Sequence, residues 1–329
     1  MAVRPATMAF VMDPPERIDP DADTTFALML EAQARGHRVL YVDPADLAVD
    51  GARVRAVVRP LVLRRARGAH CEVGEPRLVA LDEEVDVALQ RKDPPVDSEY
   101  VVATQILALC RRTLVLNRPA GILAANEKLY ALHFPELMAE TTVTRHIAEL
   151  LDFMHKLGGE MVVKPLHGRG GEGVFHVHAG DRNRNAILEQ ATAFGTRRAM
   201  AQRFLPEVAR GDKRILLLEG EVLGAVLRVP SPEELRANLH VGGRPERTAI
   251  DDDDRRIVER IGPRLRADGL FFVGIDVIGG RLTEVNVTSP TGIQEMGRLD
   301  GVAYEARVLD AVEARLRAQE APAGSQLRR

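Results

Sequence analysis

The sequence predicts an α/β protein, with an N-terminal parallel-sheet domain followed by two α+β lobes. Three observations carry that expectation. The first part of the chain opens strand, helix, strand and then keeps alternating. A strand over residues 160–165 runs into a glycine-rich loop and straight on into a second strand. Two hairpin patterns separated by one helix occupy residues 213–287. At roughly 100–200 residues per domain, 329 residues hold two or three structural units.

Met8-Ala-Phe-Val-Met12 reads as a buried strand that ends at Asp13-Pro14-Pro15. A helix is expected from Asp23 to Arg35, with Asp and Thr at its start, apolar Phe26, Leu28, Met29, Leu30 and Ala32, and Gly36 as its stop. Arg38 to Val42 is the next strand, and a β-α-β start implies a parallel sheet. Val85–Leu89, a helix around Glu99–Arg112 and the strand Thr113–Leu116 continue the pattern, so the first domain spans 1–120. Residues 121–206 read helix, helix, strand, glycine loop, strand, helix, strand. Residues 207–318 hold the hairpins Lys213–Leu218 with Val222–Val229 and Phe271–Ile278 with Leu282–Val287. The helix Asp253–Arg266 separates them and Tyr304–Arg317 closes the fold, leaving 319–329 as a flexible tail.

Composition excludes several classes. With 45 basic and 48 acidic side chains the formal charge is −3, without the basic excess of a nucleic-acid binder. No window approaches the roughly 18 consecutive apolar residues that span a bilayer. Cys71 and Cys110 are too far apart and too few for a disulfide framework, and Met1–Thr7 lacks the apolar stretch of a signal peptide. A reducing, cytoplasmic setting is therefore expected. The nine histidines show no paired-ligand spacing for zinc, and His176 with His178 reads as a surface pair on one strand face.

Gly168-Arg-Gly170-Gly171-Glu-Gly173 has the letters of a dinucleotide fingerprint, which needs a helix after it so that pyrophosphate meets a helix N-terminus. Here β-branched and aromatic residues follow, and that reading fails. By itself the loop reads either as a hairpin tip or as a lid whose backbone N–H groups cover phosphates. Lys164 ends an otherwise apolar strand, and a charge there needs a partner such as a triphosphate. Lys128 is a second lysine in an Arg-dominated chain, and Lys92 follows a strand at the end where a parallel sheet presents ligands. Glu284 and Asn286 are two apart on a strand, hence on one face. Asp276 joins them if the turn has an odd count, as a three-residue Gly279-Gly280-Arg281 loop provides. Two carboxylates and an amide oxygen suit Mg²⁺ that also holds substrate phosphates.

Together these residues resemble the ATP-grasp superfamily and, within it, the bacterial glutathione synthetase family. The resemblance runs from Met12-Asp13-Pro14 to the final helix. It rests on Phe26–Gln33, Arg91-Lys-Asp-Pro-Pro95, Asn126-Glu-Lys128, Val163-Lys-Pro165, Gly195-Thr-Arg197, Met200-Ala-Gln202, Gly211-Asp-Lys-Arg214, Asn238 and Leu282–Thr291. It implies an ATP-grasp fold, with 121–206 as the small lobe and its glycine lid and 207–318 as the large lobe and its metal hairpin. It implies an ATP-dependent carboxylate–amine ligase that joins γ-glutamylcysteine to glycine through an acyl phosphate, releasing ADP and phosphate.

The resemblance also implies roles. Lys128 and Lys164 contact ATP phosphates beneath Gly168, Gly170 and Gly171. Gln202, Phe204 and Leu205 form the adenine edge, with Asp212 near the ribose. Asp276, Glu284 and Asn286 hold two Mg²⁺ ions, with Mn²⁺ able to substitute. Arg214 and Arg228 stabilise charge during transfer, and Asn238 with Gly242-Gly243 sits beside the acyl phosphate. Arg91, Ser289, Pro290 and Thr291 help hold the peptide. The implied assembly is a homo-oligomer, without nucleic-acid or membrane partners. The chain departs from the family pattern at His167, Glu172-Gly173, Gly292, Gln294 and Ser231–Ala237, which bears on substrate identity more than on ATP use. The alternatives are a ligase of this build acting on another thiol dipeptide or amine acceptor, and a nucleotide-binding module that has lost catalysis, against which the intact Asp276, Glu284 and Asn286 set and both lysines argue.

Overall fold

Met8, Ala9, Phe10 and Val11 are buried on both faces of strand β1 (Thr7–Val11), which fits a central strand covered by helices. The structure, a computed structural model, describes residues 4–168, 170–231, 237 and 242–320. These fall into two units, one of Met1–Leu123, Ala267–Phe272 and Thr288–Arg329, the other of Ala124–Arg266 and Val273–Val287.

In the first unit β1 leads into α1 (Thr24–Ala34), capped by Asp23, whose carboxylate accepts from the Phe26 N–H at 2.7 Å. Next come β2 (Arg38–Asp50), β3 (Arg53–Leu63), β4 (Cys71–Val73), β5 (Arg77–Ala80), α2 (Leu81–Glu84), β6 (Val87–Gln90), α3 (Ser98–Leu107), β7 (Leu114–Leu116) and α4 (Pro119–Ala124). The sheet order is β4-β3-β2-β1-β6-β7, with β5 also on β3. Strands β2, β1, β6 and β7 are parallel as expected. Strands β3, β4 and β5 are antiparallel additions, so the sheet is mixed. The signal for β3 is a period-2 run in which buried Val54, Ala56 and Val58 alternate with Arg53, Arg55 and Arg59. Pro44 does not end β2; it lies in the irregular stretch where the β2/β3 register shifts between Val42 and Leu47.

The second unit contains α5 (Glu127–Tyr130), β8 (Thr141–Thr144), α6 (Ile147–Lys156), β9 (Glu160–Pro165), β10 (Phe175–His178), α7 (Arg184–Ala191) and β11 (Ala199–Gln202). It continues with β12 (Asp212–Leu218), β13 (Glu221–Val229), β14 (Arg244–Arg247), α8 (Asp252–Asp268), β15 (Phe272–Ile278) and β16 (Arg281–Asn286). One sheet has the order β10-β9-β11-β8 and packs Met161, Val163, Val177, Ala199 and Ala201 against Leu150, Met154 and Leu188 of α6 and α7. The other has the order β14-β13-β12-β15-β16. Strands β8 and β14 were not expected from the sequence. Helices α9 (Ile293–Asp300) and α10 (Tyr304–Glu320) return the chain to the first unit, and α9 is likewise an addition. There Arg35 bonds Asp310, Glu313 and the Ala306 carbonyl, fixing α10 to the end of α1.

Candidate active site

Asp212 and Arg214 lie two apart on β12, so they share a face. Arg228 pairs directly opposite Asp212 on β13. Asp276 on the β15 side completes a buried network. Its carboxylate accepts from Arg214 Nε, from Arg214 Nη2 at 2.9 Å and from Arg228 Nη2 at 3.0 Å. Arg228 Nη2 also reaches Asp212 Oδ2 at 2.6 Å.

The β15–β16 hairpin brings Asp276 and Glu284 onto one face by a different route from the expected three-residue turn. Ile278 pairs with Arg281, so the turn is the two-residue Gly279-Gly280, with φ of +54° and +72°. An even turn alone would put Asp276 and Glu284 on opposite faces. A β-bulge restores the parity: Val277 pairs with Leu282 but Asp276 with Glu284, leaving Thr283 as the extra residue. The Thr283 hydroxyl donates to the Asp276 carbonyl at 3.1 Å across the bulge. Asn286 pairs with Gly274, and its amide nitrogen donates to the Gly274 carbonyl at 3.3 Å.

The two lysines meet this face. Asn126 caps α5 by accepting from the N–H groups of Lys128 and Leu129, and its own amide donates to the Leu166 carbonyl at 3.0 Å. Lys128 is thereby placed with its Nζ 2.8 Å from Glu284 Oε1 and 3.0 Å from the Gly168 carbonyl. Lys164 Nζ donates to the Thr283 carbonyl at 3.2 Å, at the bulge. The glycine loop joins β9 to antiparallel β10, so it is a hairpin connection, and Gly170, Gly171 and Gly173 all have positive φ.

Four cations and three carboxylates therefore share one buried site. Burial brings Lys164 down to about 8 although Glu284 opposes the shift. Burial pushes Asp212 up to about 6, with Arg228 opposing and Asp276 reinforcing. For Asp276 burial also acts upward, but Arg214 and Arg228 outweigh it and hold the carboxyl well below the usual range. Asp212 Oδ1 and Arg228 Nε are buried without a hydrogen-bond partner among the described residues. Orphaned groups of that kind are costly, so they mark a place for polar ligand atoms.

The residues fit Mg²⁺ by donor chemistry. Asp276, Glu284 and the Asn286 amide oxygen are hard oxygen donors on facing strand positions. Among the described residues no three His, Cys, Asp or Glu side chains group as a metal site on their own. A cation here would share its coordination with phosphate oxygens, as Mg²⁺ commonly does.

The remaining expected residues separate into two places. Gln202 ends β11, bonded to the Thr141 hydroxyl at 2.9 Å, and Phe204 stacks on His176 with ring centroids 3.9 Å apart. Leu205 precedes the short helical turn Pro206–Arg210. All these belong to the second unit. Arg91, Ser289, Pro290 and Thr291 belong to the first. The buried Arg91 guanidinium donates to the Pro290 carbonyl at 2.9 Å and to the Thr25 hydroxyl at 3.0 Å, so it clamps the Ser-Pro-Thr segment. Asn238 lies outside the described residues.

Sequence reasoning missed Asn126 and Thr283. The first has a legible signal, an Asn just before a helix start; the second has none, because a bulge depends on the partner strand. It also missed that Gln294 is structural. Its amide donates to the carbonyls of Pro20 and Asp23 and accepts from Arg65, and Gly292 before it has φ +115°, a conformation suited to glycine.

Residues 7–122 match the prokaryotic glutathione synthetase N-terminal domain, and residues 127–301 the prokaryotic glutathione synthetase ATP-grasp domain. The chain belongs to the prokaryotic glutathione synthetase family. It is 50% identical over 308 residues to the glutathione synthetase of Gloeobacter violaceus, covering 92% of this chain and 94% of that one. It is 45% identical over 309 residues to that of Brucella melitensis, covering 94% and 98%. The D-cycloserine synthetase DcsG superposes with a TM-score of 0.68 at 15% identity, over 94% of this chain and 99% of that one. A RimK domain ATP-grasp protein from Sphaerobacter thermophilus gives 0.62 at 20%, over 93% and 98%. These two share the ATP-grasp fold. As a glutathione synthetase family member the chain is an ATP-dependent ligase that uses a divalent metal.

Proposed function

We propose that the chain forms glutathione from γ-glutamylcysteine, glycine and ATP by way of an acyl phosphate. A carboxylate oxygen is a poor leaving group, so an amine cannot displace it directly. In the proposed sequence the cysteinyl carboxylate attacks the γ-phosphorus of ATP, the bond to the β-phosphate oxygen breaks, and ADP leaves. The glycine amine then attacks the acyl carbon, loses a proton, and expels phosphate.

The observation that carries this reading is the buried network of Lys128, Lys164, Arg214 and Arg228 with Asp212, Asp276 and Glu284. Fixed cations aimed at transferring phosphoryl oxygens stabilise the transition state without reorganising. Asp276 and Asp212 hold both guanidinium groups in place for that task. Bound Mg²⁺ would add positive charge at the phosphates, held by Asp276, Glu284 and Asn286. We extend the proposal to two Mg²⁺ ions, to Mn²⁺ as a substitute, to Asp212 near the ribose, and to Gln202, Phe204 and Leu205 at the adenine edge. It includes 121–206 and 207–318 as the small and large lobes, a homo-oligomer, and a cytoplasmic location.

The test is ADP release by the purified chain with γ-glutamylcysteine plus glycine, each alone, and other amines in place of glycine. Turnover that requires both substrates, with a product of glutathione mass, supports the reading. Turnover only with another acceptor, or ATP binding without turnover, overturns it.

A further inference from the structure

Lys92 and Asp13 occupy a place in the first unit that no role above explains. Strand β1 has β2 on one side and β6 on the other, both parallel to it. The chain leaves β1 through α1 toward β2, and leaves β6 through α3 toward β7 on the opposite side. The loops after β1 and β6 therefore diverge, which makes the crevice between their C-terminal ends the topological switch point, where open α/β sheets bind ligands.

Asp13 and Lys92 stand at its mouth. Lys92 Nζ is 2.8 Å from Asp13 Oδ1, and their side chains are 27% and 40% exposed, so a solute reaches both. The pair is also held in place. Asp13 Oδ2 accepts from the Asp93 N–H at 3.1 Å, Lys92 Nζ donates to the Asp93 carbonyl, and the Arg91 N–H bonds the Val11 carbonyl at 2.8 Å. Pro14-Pro15 and Pro94-Pro95 stiffen the two loops, and His70 Nε2 lies 2.7 Å from the Pro15 carbonyl. Behind them Arg91 ties the Pro290 carbonyl into the same unit. An ion pair this exposed adds little stability by itself, and its bonds to Asp93 hold both charges in place where a ligand can reach them.

We propose that Asp13 and Lys92 seat the zwitterionic head of the peptide substrate, Asp13 taking its α-ammonium and Lys92 its α-carboxylate. The inference rests on γ-glutamylcysteine being that peptide, whose γ-glutamyl end carries both groups on one carbon, away from the reacting carboxylate. The match is chemical: two fixed, adjacent, opposite charges exchange their mutual bond for two charge-assisted bonds to the ligand. Glycine is also a zwitterion, but it must attack as a free amine, and a carboxylate against its nitrogen would hold it protonated. The non-reacting head has no such conflict.

The experiment compares the wild-type chain with Asp13→Asn and Lys92→Met in steady-state kinetics, with thermal melting as a control. Each variant should raise KM for γ-glutamylcysteine on the order of 10- to 100-fold, the loss expected for a hydrogen bond to a charged group. KM for ATP and for glycine should stay within about twofold of wild type. Wild type should disfavour glutarylcysteine, which lacks the α-ammonium, and 4-aminobutyrylcysteine, which lacks the α-carboxylate. Asp13→Asn should lose the first discrimination only, and Lys92→Met the second only. Unchanged KM for γ-glutamylcysteine in both variants, equal effects on all three substrates, or a rise confined to glycine would each overturn the seat while the ligase activity stands. Absence of wild-type turnover on γ-glutamylcysteine would overturn the proposed function and the seat with it.

Discussion

Asp276→Asn tests the buried network most directly, because it keeps the shape and removes one charge. The wild-type carboxylate accepts from two nitrogens of Arg214 and from Arg228 Nη2. Asn offers one acceptor oxygen, and its NH₂ faces a guanidinium donor. Arg228 keeps Asp212 as a partner at 2.6 Å, whereas Arg214 loses its two-point bond to a carboxylate. Breaking a buried pair costs about 3–5 kcal/mol, and the retained Asp212–Arg228 contact places the expected loss near the lower end, about 3 kcal/mol. That is a large share of a total stability of about 5–15 kcal/mol. In a unit of this size each kcal/mol moves Tm by about 2–4 °C, so differential scanning calorimetry should record a fall of about 6–12 °C. A second readout is specific to the network. Asp276 is one of the charges that push Asp212 upward, so NMR titration of Asp212 should give a lower pKa in the variant. A melting point within about 1 °C of wild type together with an unmoved Asp212 would refute the view that Asp276 balances these arginines.

Lys164→Met should weaken ADP binding on the order of 10-fold or more while leaving the fold intact, measured by calorimetric titration. In wild type the depressed Lys164 pKa means that the unfolded chain binds more protons between about pH 8 and 10.5, so stability rises with pH across that window; the Met variant should lose this slope. Glu284→Gln should cut turnover on the order of 10-fold at ordinary Mg²⁺ and recover partly at high Mg²⁺ or with Mn²⁺, and wild-type Mg²⁺ dependence would remove Glu284 from the metal site. Gly262→Ala sets two effects against each other. Alanine favours the helix by about 1 kcal/mol, yet its Cβ would lie 2.4 Å from the Gly220 carbonyl oxygen. Backbone must shift, so urea unfolding should show a net loss of about 1–3 kcal/mol.

Much of the site was legible because strand spacing is rigid. Glu284 and Asn286 share a face in any β-strand, and a lysine ending an apolar strand announces a charged partner whatever surrounds it. The glycine loop could be separated from a dinucleotide fold because β-branched residues after it exclude a helix start. Strand β3 was equally readable from its period-2 pattern, although the expected pattern passed from Arg38–Val42 directly to Val85–Leu89.

What the sequence determined by itself is therefore local: which segments are strands or helices, where loops need glycine, and which side chains lie two apart. The tertiary structure alone decided the rest. The Asp276–Glu284 alignment depends on a bulge at Thr283 that exists only between paired strands. The arginine–carboxylate network joins residues up to 62 positions apart, and spacing along the chain carries no record of such a contact. Gln294 reads as a specificity position until its three bonds show it filled by its own unit. Charges are seen in sequence one at a time, but their energies are set by burial and by partners, and both are properties of the folded chain.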